Sequence, residues 1–155
     1  MEISIGIKTE NFGKRNDMNS SLLKVATTIA EKSIYKQRIG AVIFNKNAIL
    51  STGYNKISTW SCKLHPRFKR WPTSIHAEAA AILNARMNLK GCSIIVCRIN
   101  PSGEYRLAKP CYHCQLYLNY LGIIKVYYTI PTEPYYDFIK LIYSIEHKRL
   151  IKGIK

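Results

Sequence analysis

Two short runs constrain this chain more than any other feature: Ser74-Ile75-His76-Ala77-Glu78 and Pro110-Cys111-Tyr112-His113-Cys114. The first carries an imidazole and a carboxylate. The second carries two thiols at i and i+3, the spacing at which both lie on one face of a helix's first turn. One imidazole nitrogen and two thiolate sulfurs suit zinc, and a catalytic site of three protein ligands keeps one position open. Whatever the chain folds into must bring these two runs together.

The flanking pattern shows how it can. Asp17 or Asn19 caps a helix predicted to run to about Tyr35, with Leu22, Leu23, Val25, Ala26, Ile29, Ala30 and Ile34 as its apolar stripe. Residues 39–54 read as a β-hairpin turning at Asn45-Lys46-Asn47. Residues 55–74 read as a long loop, a kind that is usually functional or mobile. Thr73 or Ser74 caps a second helix, Ile75 to about Met87, and Cys92–Ile99 is a third strand. Pro110 suits the first turn of a helix over Cys111–Tyr120, with Gly122 as its stop. Ile123–Thr129 is a fourth strand. Tyr135–His147 has helical spacing, and Arg149–Lys155 is a basic tail or a short last strand. Residues 1–16 carry little pattern beyond Ile3, Ile5 and Ile7. The order α-β-β-α-β-α-β-α-(β) predicts an α/β architecture, a mixed sheet with helices on its faces.

Both ligand runs therefore fall at helix starts, where the positive end of the helix dipole favours thiolates and bound anions. Taken singly, each run has a plainer reading. A C-x-x-C also serves as a redox pair or a structural zinc knot, and H-A-E also begins ordinary helices. His113 is an alternative ligand to His76. The coincidence of both halves with two helix starts and Pro110 favours one catalytic metal site.

Totals narrow the setting. A chain of 155 residues is expected to form one domain, 1–155, with a real core. No stretch approaches the roughly 18 apolar residues of a membrane helix. Met1–Asp17 shows no signal-peptide pattern, so a cytoplasmic location is expected. Five cysteines, an odd number without an export signal, favour metal binding and free thiols over disulfides. The 24 Lys+Arg against 9 Asp+Glu give a formal charge of +15, which points to a phosphate-bearing partner.

Together these residues resemble the cytidine deaminase superfamily, and within it the CMP/dCMP-type deaminases. The likeness covers roughly Leu22–Thr129. Arg38-Ile39-Gly40-Ala41-Val42-Ile43 resembles the family's first strand, and Ile49-Leu50-Ser51-Thr52-Gly53-Tyr54-Asn55 its second. His76-Ala77-Glu78 and Pro110-Cys111-Tyr112-His113-Cys114 complete the pattern. The resemblance implies a three-layer α/β/α fold with a mixed central sheet of four to five strands. It implies one catalytic zinc held by His76, Cys111 and Cys114, with Glu78 as proton shuttle. It further places Asn55 against base or sugar, sets Ala77 beside the base, and favours a homo-oligomer. Some deoxycytidylate deaminases carry a second, structural zinc near the position of Cys62 and His65, but no further ligands stand nearby here. The chain departs from those enzymes at Lys56, where they continue with Gly, and at Ala79-Ala80-Ala81-Ile82, which lacks their Asn. Both departures count against nucleoside-triphosphate control and against dCMP as sole substrate.

The leading expectation is an enzyme that hydrolyses cytosine to uracil in a (deoxy)nucleotide. Arg67, Lys69 and Arg70, interleaved with Trp60, Phe68 and Trp71, suit a single-stranded nucleic acid instead, and support a polynucleotide deaminase acting on cytosine or adenine. A non-catalytic zinc module that binds nucleic acid is a third reading, against which Glu78 stands. Lys36, Arg38, Arg106 and Lys109 come from loops expected to rim the pocket and are phosphate candidates. Cys92 and Cys97 are expected in the core, and Tyr127 and Tyr128 on opposite faces of a strand.

Overall fold

The structure, a computed structural model, describes residues 19–57 and 74–141. In chain order the elements are α1 (Ser20–Ala30), β1 (Arg38–Asn45), β2 (Ala48–Tyr54), β3 (Lys56–Ile57), β4 (Ser74–Ile75) and α2 (Ala77–Ala85). Then come β5 (Ser93–Ile99), β6 (Tyr105–Arg106), α3 (Tyr112–Tyr120), β7 (Lys125–Thr129) and β8 (Tyr136–Lys140). The main sheet runs β2-β1-β5-β7-β8, with β6 beside β5. Strands β5 and β7 are parallel and the other neighbours antiparallel, so the sheet is mixed as expected.

Both faces of the sheet are covered. On one, Leu22, Ala26, Ile29 and Ala30 of α1 pack with Val42, Phe44, Ile95, Cys97, Tyr127 and Phe138. On the other, Ala77 and Ala81 of α2 and Leu118 of α3 pack with Ala41, Ile43, Ile94, Val96, Val126 and Tyr128. This is the expected α/β/α layering. Two glycines set how closely the layers approach. A Cβ on Gly40 would lie 2.5 Å from Ala26 O and Ala30 N of α1. A Cβ on Gly53 would collide with Ala81 N and lie 2.8 Å from Ala77 O of α2. Both obstacles are backbone, so neither helix could sit where it does over a larger residue.

Several expectations need correction. The segment from Tyr135 is a strand, β8, not the start of a helix: Phe138 faces Tyr127 and Ile139 faces Val126 in antiparallel register. Phe138 packs toward α1 and Ile139 toward the opposite layer. Phe138 and Ile139 are adjacent residues buried on opposite faces, which hides the strand's alternation, and with Leu141 they also match helical spacing. Residues 142–155, including the rest of that segment and the basic tail, lie outside the described residues.

Helix α1 ends at Ala30 instead of near Tyr35, and Ile34 is 84% exposed. Ser33 breaks the run: its hydroxyl donates to Asn55 O at 3.0 Å and accepts from Tyr35 N at 3.3 Å. Of the two cap candidates, Asn19 accepts from Ser21 N, while Asp17 is outside the described residues. Ser74 does not cap α2, because Ser74–Ile75 pairs with Lys56–Ile57, and His76 becomes the N-cap. Pro110 likewise stands one residue before the N-cap of α3, which is Cys111. Gly122 takes φ 84° just past α3, as its stop role requires. Tyr127 and Tyr128 do face opposite layers, and both are core. Cys92 and Cys97 are buried as expected.

Candidate metal centre

His76 and Cys111 occupy the same position on two helices. Each is an N-cap with extended backbone, ψ 154° and 159°, and each carbonyl accepts the first bond of its helix, from Ala80 N and Gln115 N at 2.9 Å. Their side chains therefore project from two helix N-termini. The β3–β4 pairing delivers the chain to His76, since Ile75 sits opposite Lys56. Cys114, a turn into α3, is buried.

The donor atoms converge. His76 Nδ1 lies 3.6 Å from Cys114 Sγ and 4.0 Å from Cys111 Sγ, and all three atoms lie within 4.8 Å of one another. Zinc bonds of about 2.0–2.3 Å at tetrahedral angles separate ligand atoms by about 3.6–3.8 Å. The set fits one zinc ion, through Nδ1 of the ring. His113, the alternative ligand, is not part of this cluster.

Electrostatics at the site are lopsided. Cys111 is pulled down to about 4, chiefly by the Cys114 thiol and, against burial, by the His76 ring and the Cys114 backbone N–H. Cys114 is pushed above the ordinary thiol range because its S–H serves that thiolate, and because it is buried near Glu78. The two cysteines thus share one proton, with Cys111 as the thiolate. Burial pulls the His76 ring down, but Cys111 and Glu78 outweigh it and the net shift is upward. Glu78, second residue of α2, is 5% exposed. Burial holds its carboxyl above the ordinary glutamate range, while its own backbone N–H and His76 pull the other way.

A cavity of about 510 Å³ opens beside His76, lined by Tyr35, Lys36, Gln37, Asn55, Ile75 and His76. That volume is within the range of small-molecule sites. Asn55 is on its wall, and its amide is engaged: Oδ1 accepts from Ile39 N at 2.9 Å and Nδ2 donates to Gln37 O at 2.8 Å. Ala77 is wholly buried behind His76. Arg38 and Lys109 do not line this cavity. Arg38 is half-buried, its Nε without a partner among the described residues, and Lys109 is exposed two residues before Cys111. Arg106 sits 3.9 Å from Glu104 at the surface. Tyr35 and Gln37 had no sequence signal, because they lie in the connector after α1, where periodicity says nothing. Cys62, His65 and the basic-aromatic run from Trp60 to Trp71 are outside the described residues. No helix among the described residues is long and apolar enough to cross a membrane.

Comparison with known proteins agrees with this geometry. The sequence model of the family described as "Cytidine and deoxycytidylate deaminase zinc-binding region" matches residues 16–130. An "Uncharacterized deaminase in luxG 3'region" of Aliivibrio fischeri is 33% identical over 101 residues, 63% of this chain and 62% of that relative. The match thus spans less than two thirds of that relative's length. The crystal structure of the dCMP deaminase from cyanophage S-TIM5 in apo form superposes with a TM-score of 0.54 at 20% identity, covering 74% of this chain and 83% of that one. The same phage protein in complex with dCMP and dUMP gives 0.54 at 20%, covering 72% and 79%. At that identity the likeness is one of fold.

Proposed function

The chain belongs to the cytidine and deoxycytidylate deaminase family, and we propose that it is a zinc-dependent hydrolase converting cytosine to uracil in a (deoxy)nucleotide. One observation carries the reading: the Nδ1, Sγ, Sγ donor set stands within electrostatic reach of the buried Glu78 carboxyl, beside a cavity that opens at His76. A purely structural zinc needs neither the carboxyl nor the cavity.

His76, Cys111 and Cys114 hold the metal in this reading. Zinc bound by such a set supplies Lewis acidity that activates water near neutral pH. Glu78 takes the proton that the attacking water sheds. It passes this proton to the ring nitrogen next to the reacting carbon, then carries the remaining proton of the added hydroxyl to the departing amino group as the carbonyl forms. Water oxygen replaces nitrogen on that carbon and ammonia leaves. A carboxyl held above its ordinary range by burial suits both halves of this transfer. Asn55 ties Gln37 to Ile39 on the cavity wall, and its remaining N–H is the donor that this reading assigns to the base or sugar. Ala77, buried at the start of α2, is the residue that this reading sets beside the base. Lys36 on the rim, with Arg38 and Lys109 farther out, supplies cations for phosphate.

The +15 charge favours a second reading, a deaminase acting on cytosine or adenine in single-stranded nucleic acid. A substrate panel read by mass spectrometry separates the two. Zinc-loaded protein is incubated with dCMP, CMP, dCTP, deoxycytidine and oligonucleotides carrying C or A. Conversion of dCMP or CMP supports the nucleotide reading. Conversion of oligonucleotides alone replaces it with the second. No conversion of any of them, with zinc bound, rejects both.

A further inference from the structure

We propose that Gln115 is the positioning residue that sets the backbone of the ligand Cys111. The proposal rests on the reading of His76, Cys111 and Cys114 as one metal set. Cys114 needs little help, because it is buried within the first turn of α3. Cys111 is exposed and precedes the helix, so packing does not hold it. The stretch that delivers it, 107–111, belongs to no helix or strand.

Hydrogen bonds pin that stretch instead. At its start, the fully buried Thr129 donates from Oγ1 to Arg106 O at 2.8 Å, and Ala108 N donates to Thr129 O at 3.0 Å. At its end, Pro110 has no N–H to offer. Its carbonyl accepts from Gln115 Nε2 at 2.7 Å. The next carbonyl, that of Cys111, accepts from Gln115 N at 2.9 Å. These two carbonyls belong to the peptide planes on either side of the Cys111 Cα. One residue therefore grips both planes, one with its side chain and one with its main chain. The angle between those planes and the Cα is the pair φ −63°, ψ 159° that aims the Cys111 side chain at His76.

A second observation shows that packing did not choose Gln115. The residue is 5% exposed, and its Oε1 is buried without a partner among the described residues. The amide cannot be turned over to relieve this, since Pro110 O needs a donor. An unpaired buried acceptor is destabilising. An apolar residue of similar length would carry no unpaired Oε1 but would leave Pro110 O without its donor, so the bond to Pro110 is what the amide supplies.

The test uses cobalt(II) in place of zinc, because its thiolate charge-transfer and ligand-field bands report how many sulfurs bind and in what geometry. Gln115→Met keeps the length and removes the donor. The expected result is an apoprotein that still folds, the relief at Oε1 being offset by the donor lost to Pro110 O, but that binds cobalt about 10–100-fold more weakly, as loss of an outer-shell partner does. Its thiolate band should fall toward that of Cys111→Ser. Gln115→Leu, which also removes the donor but with a branched apolar side chain, should show the same spectrum, and it decides the matter if Gln115→Met does not fold. Wild-type affinity and spectrum in the folded variant would overturn the positioning role alone. A wild-type protein that takes up no cobalt would overturn the metal set, and this proposal with it.

Discussion

His76 and Cys111 are the N-caps of two different helices, and Nδ1 of one lies 4.0 Å from Sγ of the other. The site is thus a meeting of two helix starts, both laid on the same face of the sheet by α2 and α3. The positive ends of both dipoles favour a thiolate there, which agrees with the low pKa of Cys111.

Zinc affinity should rise with pH through neutrality. The metal takes deprotonated donors. Cys111, at about 4, is already a thiolate at neutral pH and has no proton to lose. Cys114 is shifted up and must release one, and His76, raised above its usual 6.5, must release its share. Binding should therefore liberate about one to two protons, so affinity climbs about 10–100-fold per pH unit between about pH 6 and 8. Chelator competition across that window measures the slope. A flat profile would contradict the protonation scheme.

The apoprotein's thiols should react in a fixed order. Cys111 is exposed and ionised, so an alkylating reagent at mildly acidic pH labels it ahead of the other described cysteines. Cys97 is wholly buried and pushed up to about 11 by burial, and Cys92 is buried and shifted up, so both stay unlabelled while the protein is folded. Zinc should protect Cys111. Peptide mapping reads the sites, and early labelling of Cys97 would contradict the buried placement of β5.

Gly53→Ala should destabilise the protein and loosen the metal site together. The new Cβ would meet the α2 backbone at Ala77 O, Ala80 C and Ala81 N. Forcing the helix outward costs about 1–3 kcal/mol in overpacking and shifts His76, the cap of that helix. Urea unfolding gives the first effect and zinc competition the second. A variant as stable as wild type would mean that α2 is not pressed onto β2 as described.

The site was easier to read in the sequence than the far edge of the sheet. His76, Glu78, Cys111 and Cys114 were legible because zinc chemistry dictates residue type and close spacing, and those survive without knowledge of the fold. The strands around Ala41–Ile43 and Ile94–Val96 were legible because β-branched runs between turn signals admit few other readings. Phe138 and Ile139 misled, because a doubly buried strand has no alternation to show. His76 as its helix's own cap was hidden too: the capping preference of Ser74 is local, while its pairing with Ile57 joins residues far apart in the sequence. Gln115 left no trace, since a buried amide is explained only by the carbonyl it meets.

The most direct test of the account is Glu78→Gln, assayed for zinc content and cytosine deamination beside wild type. Glutamine keeps the shape of the side chain and cannot carry the proton. The account predicts that both proteins hold one zinc, that wild type releases uracil product, and that the variant is slower by about 100–10,000-fold. Turnover at the wild-type rate by the zinc-loaded variant would contradict it.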